Sequence, residues 1–115
     1  MPRLSALRVH ELHASHRWRW KELWEKADLR VEGDRFVQQA SRLHAYHLLS
    51  TASEHYAKMD VGLPARGLHG EAYRGHIFWD ELYIAPFFNR VLPSVTRAHL
   101  LYRFRRLEEA REIAQ

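Results

Sequence analysis

The chain has 115 residues, enough for one domain, and its 46% hydrophobic and 28% charged content is that of an ordered globular chain rather than a disordered one. It has no cysteine, no apolar run of about 18 residues and no apolar signal core in MPRLSALRVHELH, which excludes disulfides, thiolate chemistry and a membrane span and fits a cytoplasmic location. The net charge of +4 favours anionic partners, but interspersed acids argue against nucleic-acid binding, which would show as affinity lost steeply with salt.

The first predicted element is a helix over 3–27, clearest in its second half, where Trp20, Leu23, Trp24 and Ala27 recur at helical steps. Leu4 with Leu7 and Val9 with Leu12 give a weaker signal. HRWRWKELW interleaves Arg, Lys and Trp, as a membrane or nucleic-acid surface would. Trp20 and Trp24 are one turn apart, however, which favours packing on a neighbour. His10, His13 and His16 are spaced by three. Without Cys or a fourth ligand they read as a solvated face rather than a metal stripe.

Residues 28–32 form an irregular link, Gly33 breaks it, and Asp34 is placed to cap a second helix over 35–52. Phe36, Ala40, Leu43 and His47 share one face of that helix. Residues 54–77 have no clean period and hold Gly62, Gly67, Gly70 and Gly75. So long a loop in a small domain signals function. A third helix is expected over 79–91 with Pro86 inside it. A fourth is expected over 94–113, breaking near Arg106–Leu107, with Val95, Ala98, Leu101 and Tyr102 inward. The fold class is therefore all-α, about four helices with a long glycine-containing loop.

Chemistry concentrates in GEAYRGHIFWDELYIAPFF, residues 70–88. An Asp at a helix start reads first as an N-cap, and a Trp beside it as core. Trp79 and Asp80 also suit sugar binding: a ring covers the apolar face of a pyranose, and a carboxylate accepts from adjacent hydroxyls. Arg74 and His76 lie just upstream and add donors. Glu81 follows Asp80 directly, so on a helix the two point about 100° apart and do not flank one bond. Glu81 therefore reads as structural, and Glu71 as a loop residue of no assigned role. His44 and His47 read as core or pocket wall. The Arg run of LLYRFRRLEEAR reads as a salt-bridged face with Glu108 and Glu109.

The segment from Val61 to about Arg111 resembles glycoside hydrolase family 65, the maltose, trehalose and kojibiose phosphorylases and acid trehalases. The signature G-x-x-Y-R-G-H-x-F-W-D plus an acid is met by Gly70, Tyr73, Arg74, Gly75, His76, Phe78, Trp79, Asp80 and Glu81. The pattern P-x-x-x-R-x-x-L-L-Y-R follows from Pro93 to Arg103, and residues 20–60 are similar more loosely. The resemblance implies a fragment of an (α/α)6 barrel, with 1–32 a linker helix and link and 33–115 the first barrel helices. It implies that Trp79 and Asp80 hold a glucose ring, supported by Arg74 and His76. It further implies that inorganic phosphate attacks the anomeric carbon with inversion while a glutamic acid protonates the leaving sugar. That acid is expected beyond Gln115, and a β-sandwich domain before the barrel. The chain is thus expected to carry part of a glucose site, with no catalytic residue of its own, no metal or organic cofactor, and no turnover alone. The competing reading is a non-catalytic helical module that self-associates or docks onto a separately encoded partner.

Overall fold

The computed structural model describes residues 8–68, 70 and 72–115. The described residues form no strand. Five α-helices follow one another: α1 (Val9–Ala27), α2 (Arg35–Thr51), α3 (Glu81–Val91), α4 (Pro93–Arg105) and α5 (Leu107–Ile113). Two short 3-10 turns, Glu54–Lys58 and Tyr73–Gly75, interrupt the long loop. The all-α expectation holds. The fourth helical region does break at Arg106, which leaves the helix at φ −102° and ψ 4° and makes two helices of one.

The link between α1 and α2 is built from side-chain bonds. Asp34 accepts from Val37 N–H at 3.0 Å, the cap its position predicts. Gly33 has φ +88°, which a side chain would resist. The Gln38 amide donates to the Leu29 carbonyl at 2.9 Å and accepts from Val31 N–H at 2.8 Å. Arg42 grips Asp28 with bonds of 2.7 and 2.8 Å, and these hold the Asp28 carboxyl below its usual range.

The core gathers Ala27, Leu49, Ala52, Leu63, Phe88, Val91, Leu92 and Val95, with Trp20, Leu23 and Phe87 packed against it. Trp20 meets Tyr46 of α2 at 5.2 Å between ring centroids, so the Trp20–Trp24 stripe does serve packing. Pro93 opens α4, where a missing N–H costs nothing. Val95 and Ala98 are buried as expected, while Leu101 and Tyr102 are half-buried.

Of the residues that share one face of α2, Phe36 and Leu43 are exposed while Ala40 and His47 are half-buried, and Leu48 beside them packs against the core. Phe36 is 78% exposed and Leu43 53%, whereas Ala45 and Leu49 are buried. At about 100° per residue, Leu49 lies roughly opposite Phe36. Both sides of α2 carry apolar residues, and the neighbouring helices cover the side that Phe36 does not occupy. Phe36 and Leu43 on the other side remain largely open to solvent.

That uncovered side belongs to a wider pattern. The radius of gyration is 17.1 Å and the extents are 54 × 47 × 27 Å, against about 13 Å for a compact chain of this length. The accessible surface is 9679 Å², against about 6,600 Å² expected for a monomer of this mass. Leu82, Tyr83, Leu100 and Phe104 are all exposed on α3 and α4. The helices form an open slab, not a closed core.

Candidate functional site

The loop and the start of α3 are tied together by one side chain. Glu81 accepts from Leu63 N–H at 2.8 Å with one carboxylate oxygen and from Arg103 Nε at 2.8 Å with the other. Arg103 also donates to the Phe78 carbonyl. Glu81 is only 11% exposed in its side chain. The glutamate thus joins the loop, α3 and α4, and it is structural as its sequence position suggests. The residues on either side of it, Asp80 and Leu82, are held by that anchor.

Asp80 behaves differently. It stands just before α3, yet its backbone is helical (φ −56°, ψ −29°) and its carboxylate makes no capping bond. A capping residue needs extended backbone so that its side chain can turn back onto the helix N–H groups. The N-cap reading is overturned for that reason. The first turn is closed instead by Leu82 N–H on the Trp79 carbonyl and Tyr83 N–H on the Asp80 carbonyl, both at 3.0 Å. Asp80 makes no hydrogen bond or ion pair with the side chains of the described residues, and it lines a cavity of about 280 Å³ with His47, Thr51, Arg66 and Glu81.

Trp79 is not core either: it is 66% exposed, with its ring edge-on to Tyr83 at 5.2 Å. It lines a separate apolar groove of about 630 Å³ with Phe78, Leu82 and Leu100. Thr96 and His99 form the floor of that groove. Both are buried, and Thr96 Oγ1 and His99 Nε2 have no hydrogen-bond partner among the described residues. Burial pushes the His99 pKa down, and the nearby Glu81 carboxylate partly offsets this.

Upstream, Tyr73, Arg74 and Gly75 take left-handed φ values of 56°, 50° and 75°. For two successive non-glycine residues this costs on the order of 1–2 kcal/mol each, and such strain collects at functional segments. His76 Nδ1 donates to the Tyr73 carbonyl at 2.6 Å, and its ring stacks on Phe78 at 5.9 Å. Ala65 N–H donates to the His76 carbonyl at 3.2 Å, joining the two arms of the loop.

Trp79, Asp80, Arg74 and His76 therefore sit on one short segment but face four different concavities. Sequence reasoning missed Arg66 and Arg103. Arg103 falls inside the quoted L-L-Y-R run but carries no local sign of its contact with Glu81. Arg66 lies between Pro64 and Gly67, and only the folded loop brings it beside Asp80. Glu71 lies outside the described residues, as does the Leu4–Leu7 part of the first helix. His10, His13 and His16 are exposed. Among the described residues no group of three or more His, Asp or Glu side chains is arranged to hold a metal. The Arg run is salt-bridged, but to distant partners as well as local ones. Arg105 and Arg106 both hold Asp60, with bonds of 3.0 to 3.2 Å that lower its carboxyl pKa, while Arg111 holds Glu108 at 2.7 Å.

Residues 42–115 match the model of the glycosyl hydrolase family 65 central catalytic domain. An uncharacterized glycosyl hydrolase of Mycobacterium tuberculosis is 48% identical over 107 residues, 93% of this chain and 8% of its own length. A kojibiose phosphorylase of Halothermothrix orenii is 40% identical over 109 residues, 94% of this chain and 14% of its own. A trehalose 6-phosphate phosphorylase of Lactococcus lactis is 37% identical over 115 residues, 97% of this chain and 15% of its own. The chain thus spans less than a sixth of the length of these relatives. No helix among the described residues is long and apolar enough to cross a membrane.

Proposed function

Because this chain belongs to glycosyl hydrolase family 65, we propose that it supplies one wall of a glucose-binding site in an enzyme that breaks α-glucosidic bonds of disaccharides such as trehalose, maltose or kojibiose. The observation that carries the reading is the contrast between adjacent carboxylates. Glu81 is engaged at both oxygens, while Asp80, next to it, is uncommitted and borders a cavity. A carboxylate held at a helix start by its neighbour's bonds, with free lone pairs, is suited to accept from two sugar hydroxyls. Trp79 offers an exposed ring beside it for the apolar face of the pyranose. Arg74 and His76 lie just upstream and border neighbouring concavities, and in this reading they support the segment that carries Trp79 and Asp80.

In this reading residues 1–32 are a linker helix and link, and 33–115 are the first helices of the (α/α)6 barrel. The chemistry follows the phosphorylases: a phosphate oxygen attacks the anomeric carbon, inverting it, as the bond to the leaving sugar oxygen breaks. That oxygen takes a proton from a glutamic acid, a role assigned to no residue of 1–115. Phosphate is a co-substrate, and no metal or organic cofactor takes part. The absence of cysteine suits a cytoplasmic setting.

Two measurements test the proposal. The purified chain is expected to show no turnover of trehalose, maltose or kojibiose with phosphate, and clear turnover refutes the division of labour. Grafted in place of the matching segment of the Halothermothrix orenii kojibiose phosphorylase, the chain is expected to support phosphorolysis. In that graft Asp80→Ala is expected to lower kcat/KM by roughly a hundredfold or more, the size of two lost charge-assisted hydrogen bonds. Unchanged kcat/KM would remove Asp80 from the site.

A second reading is favoured by the excess surface of roughly 3,000 Å² over a compact monomer. The exposed faces of α2, α3 and α4 then act as docking surfaces, for a copy of the chain or for a separately encoded remainder. Light scattering after size exclusion separates the two readings: a strict monomer at high concentration counts against self-association.

A further inference from the structure

The groove of about 630 Å³ that Trp79 borders is built by two helices. Leu82 and Ala85 face it from α3, and Thr96, His99, Leu100 and Arg103 from α4. These recur at steps of three and four, so each helix turns one face to it. The walls are apolar, but the floor is not: Thr96 Oγ1 and His99 Nε2 are buried there without a hydrogen-bond partner among the described residues. A buried polar atom left without a partner costs more than an ordinary hydrogen bond contributes. Two such atoms lie one helical turn apart beneath an open apolar groove. They call for an occupant that is apolar along its length and polar at its tip. A phenol meets both needs, since its hydroxyl donates and accepts.

The chain carries such a group at the rim of the groove. Tyr83 is 70% exposed and meets the Trp79 ring edge-on at 5.2 Å. Phe104, one turn along α4 from Leu100, is exposed as well. With Phe78, Trp79, Leu82 and Leu100, these two leave roughly 700 Å² of apolar surface open, at 150–250 Å² for a whole aromatic side chain. That is close to the roughly 800 Å² each partner gives to a stable interface, and more than a monomer ordinarily shows in one patch. The charged residues that line the groove, Glu81 and Arg103, are already paired with each other, so covering them leaves no lone charge.

We propose that the chain forms a two-fold dimer through this groove, with Tyr83 of each copy seated in the groove of the other and its hydroxyl bonded to Thr96 and His99. The same patch serves on both sides, which is the form a closed pair takes. The dimer rests on the self-association reading above and gives it a surface and an anchor. The α2 face, with Phe36 and Leu43, lies outside the contact. The glucose reading rests on Asp80 and its separate cavity, and the graft tests it independently.

The test is light scattering after size exclusion on the full chain over a concentration series, with sedimentation equilibrium giving the dimer Kd. Twice the chain mass is expected for the wild type. Leu100→Asp should be a monomer with unchanged helical circular dichroism, since Leu100 is 64% exposed in the single chain and its new charge meets the apolar groove only in the dimer. Phe36→Asp on α2 should leave the dimer intact. Tyr83→Phe should weaken dimerisation roughly thirtyfold, one ordinary hydrogen bond lost twice in a symmetric pair. In a Thr96→Val/His99→Leu background Tyr83→Phe should no longer weaken it, because the hydroxyl has already lost its partners. A strict monomer at high concentration overturns the proposal together with self-association. A dimer that persists in Leu100→Asp overturns the proposal alone, and if Phe36→Asp then breaks it, self-association stands on the α2 face instead. Unchanged affinity in Tyr83→Phe, or an equal loss in the Thr96→Val/His99→Leu background, also overturns it. Should Leu100→Asp lose its helical circular dichroism, Leu82→Asp decides, on the groove wall at a helix start where an acid is favourable. A dimer that Leu82→Asp leaves intact overturns the proposal.

Discussion

Arg103→Ala should loosen the base on which Asp80 stands. The guanidinium donates to Glu81 at 2.8 Å and also to the Phe78 carbonyl, so one substitution removes two links between α4 and the start of α3. Glu81 is 11% exposed and Arg103 46% exposed. A hydrogen bond to a charged group contributes about 1.5–3 kcal/mol. Solvent around the half-exposed guanidinium screens the pair, so about 1–2 kcal/mol is the better figure here. That corresponds to a fall in Tm on the order of 5–10 °C for a chain of this size. Urea unfolding followed by circular dichroism, on the wild type, Arg103→Ala, Glu81→Gln and the double variant, closes the cycle. Glu81→Gln leaves the bond to Leu63 N–H largely in place and removes the charge. The expected coupling is about 1 kcal/mol. A coupling below about 0.3 kcal/mol, the range of independent sites, would refute the reasoning. Asp80 would then owe its position to something other than this anchor.

Two aspartates at helix starts should respond differently. Asp34→Ala should cost about 1 kcal/mol, because Asp34 caps α2. Asp80→Ala should stay within about 0.5 kcal/mol, because its carboxylate caps nothing. Equal losses in urea unfolding would restore the capping role of Asp80. Stability should also depend on pH through His99. Its pKa is lowered from the ordinary 6.5 by burial, so the unfolded state takes up the proton more readily. The neutral form is therefore stabilising above about pH 6.5, and stability should fall as pH drops from there toward the lower folded value. His99→Leu should flatten that part of the profile relative to wild type, and an unchanged slope would place the titration elsewhere.

Local chemistry made much of this chain legible. Helical spacing of apolar residues located α1 to α4. Asp34 after Gly33 announced its cap, and Pro93 the start of α4, because capping and proline effects act within one turn. The family resemblance likewise follows from the order of residues 70–81. Contact between distant segments was not legible. Phe36, Ala40, Leu43 and His47 share one face of α2 by periodicity, which finds a stripe but not the neighbour that covers it, and Phe36 and Leu43 are exposed. The helix carries apolar residues on two sides, and only the positions of α1 and α3 choose between them. Asp80 read as a cap because its identity and place were right. Its backbone angles, which depend on how Glu81 is gripped from Leu63 and Arg103, turn the carboxylate to the cavity instead. Arg66 gave no signal at all, since what brings it beside Asp80 and Arg74 is the closing of a loop over many residues. The sequence determined which groups are present and where helices begin. Only the tertiary structure decided which of those groups are already satisfied by the protein and which remain open to a ligand.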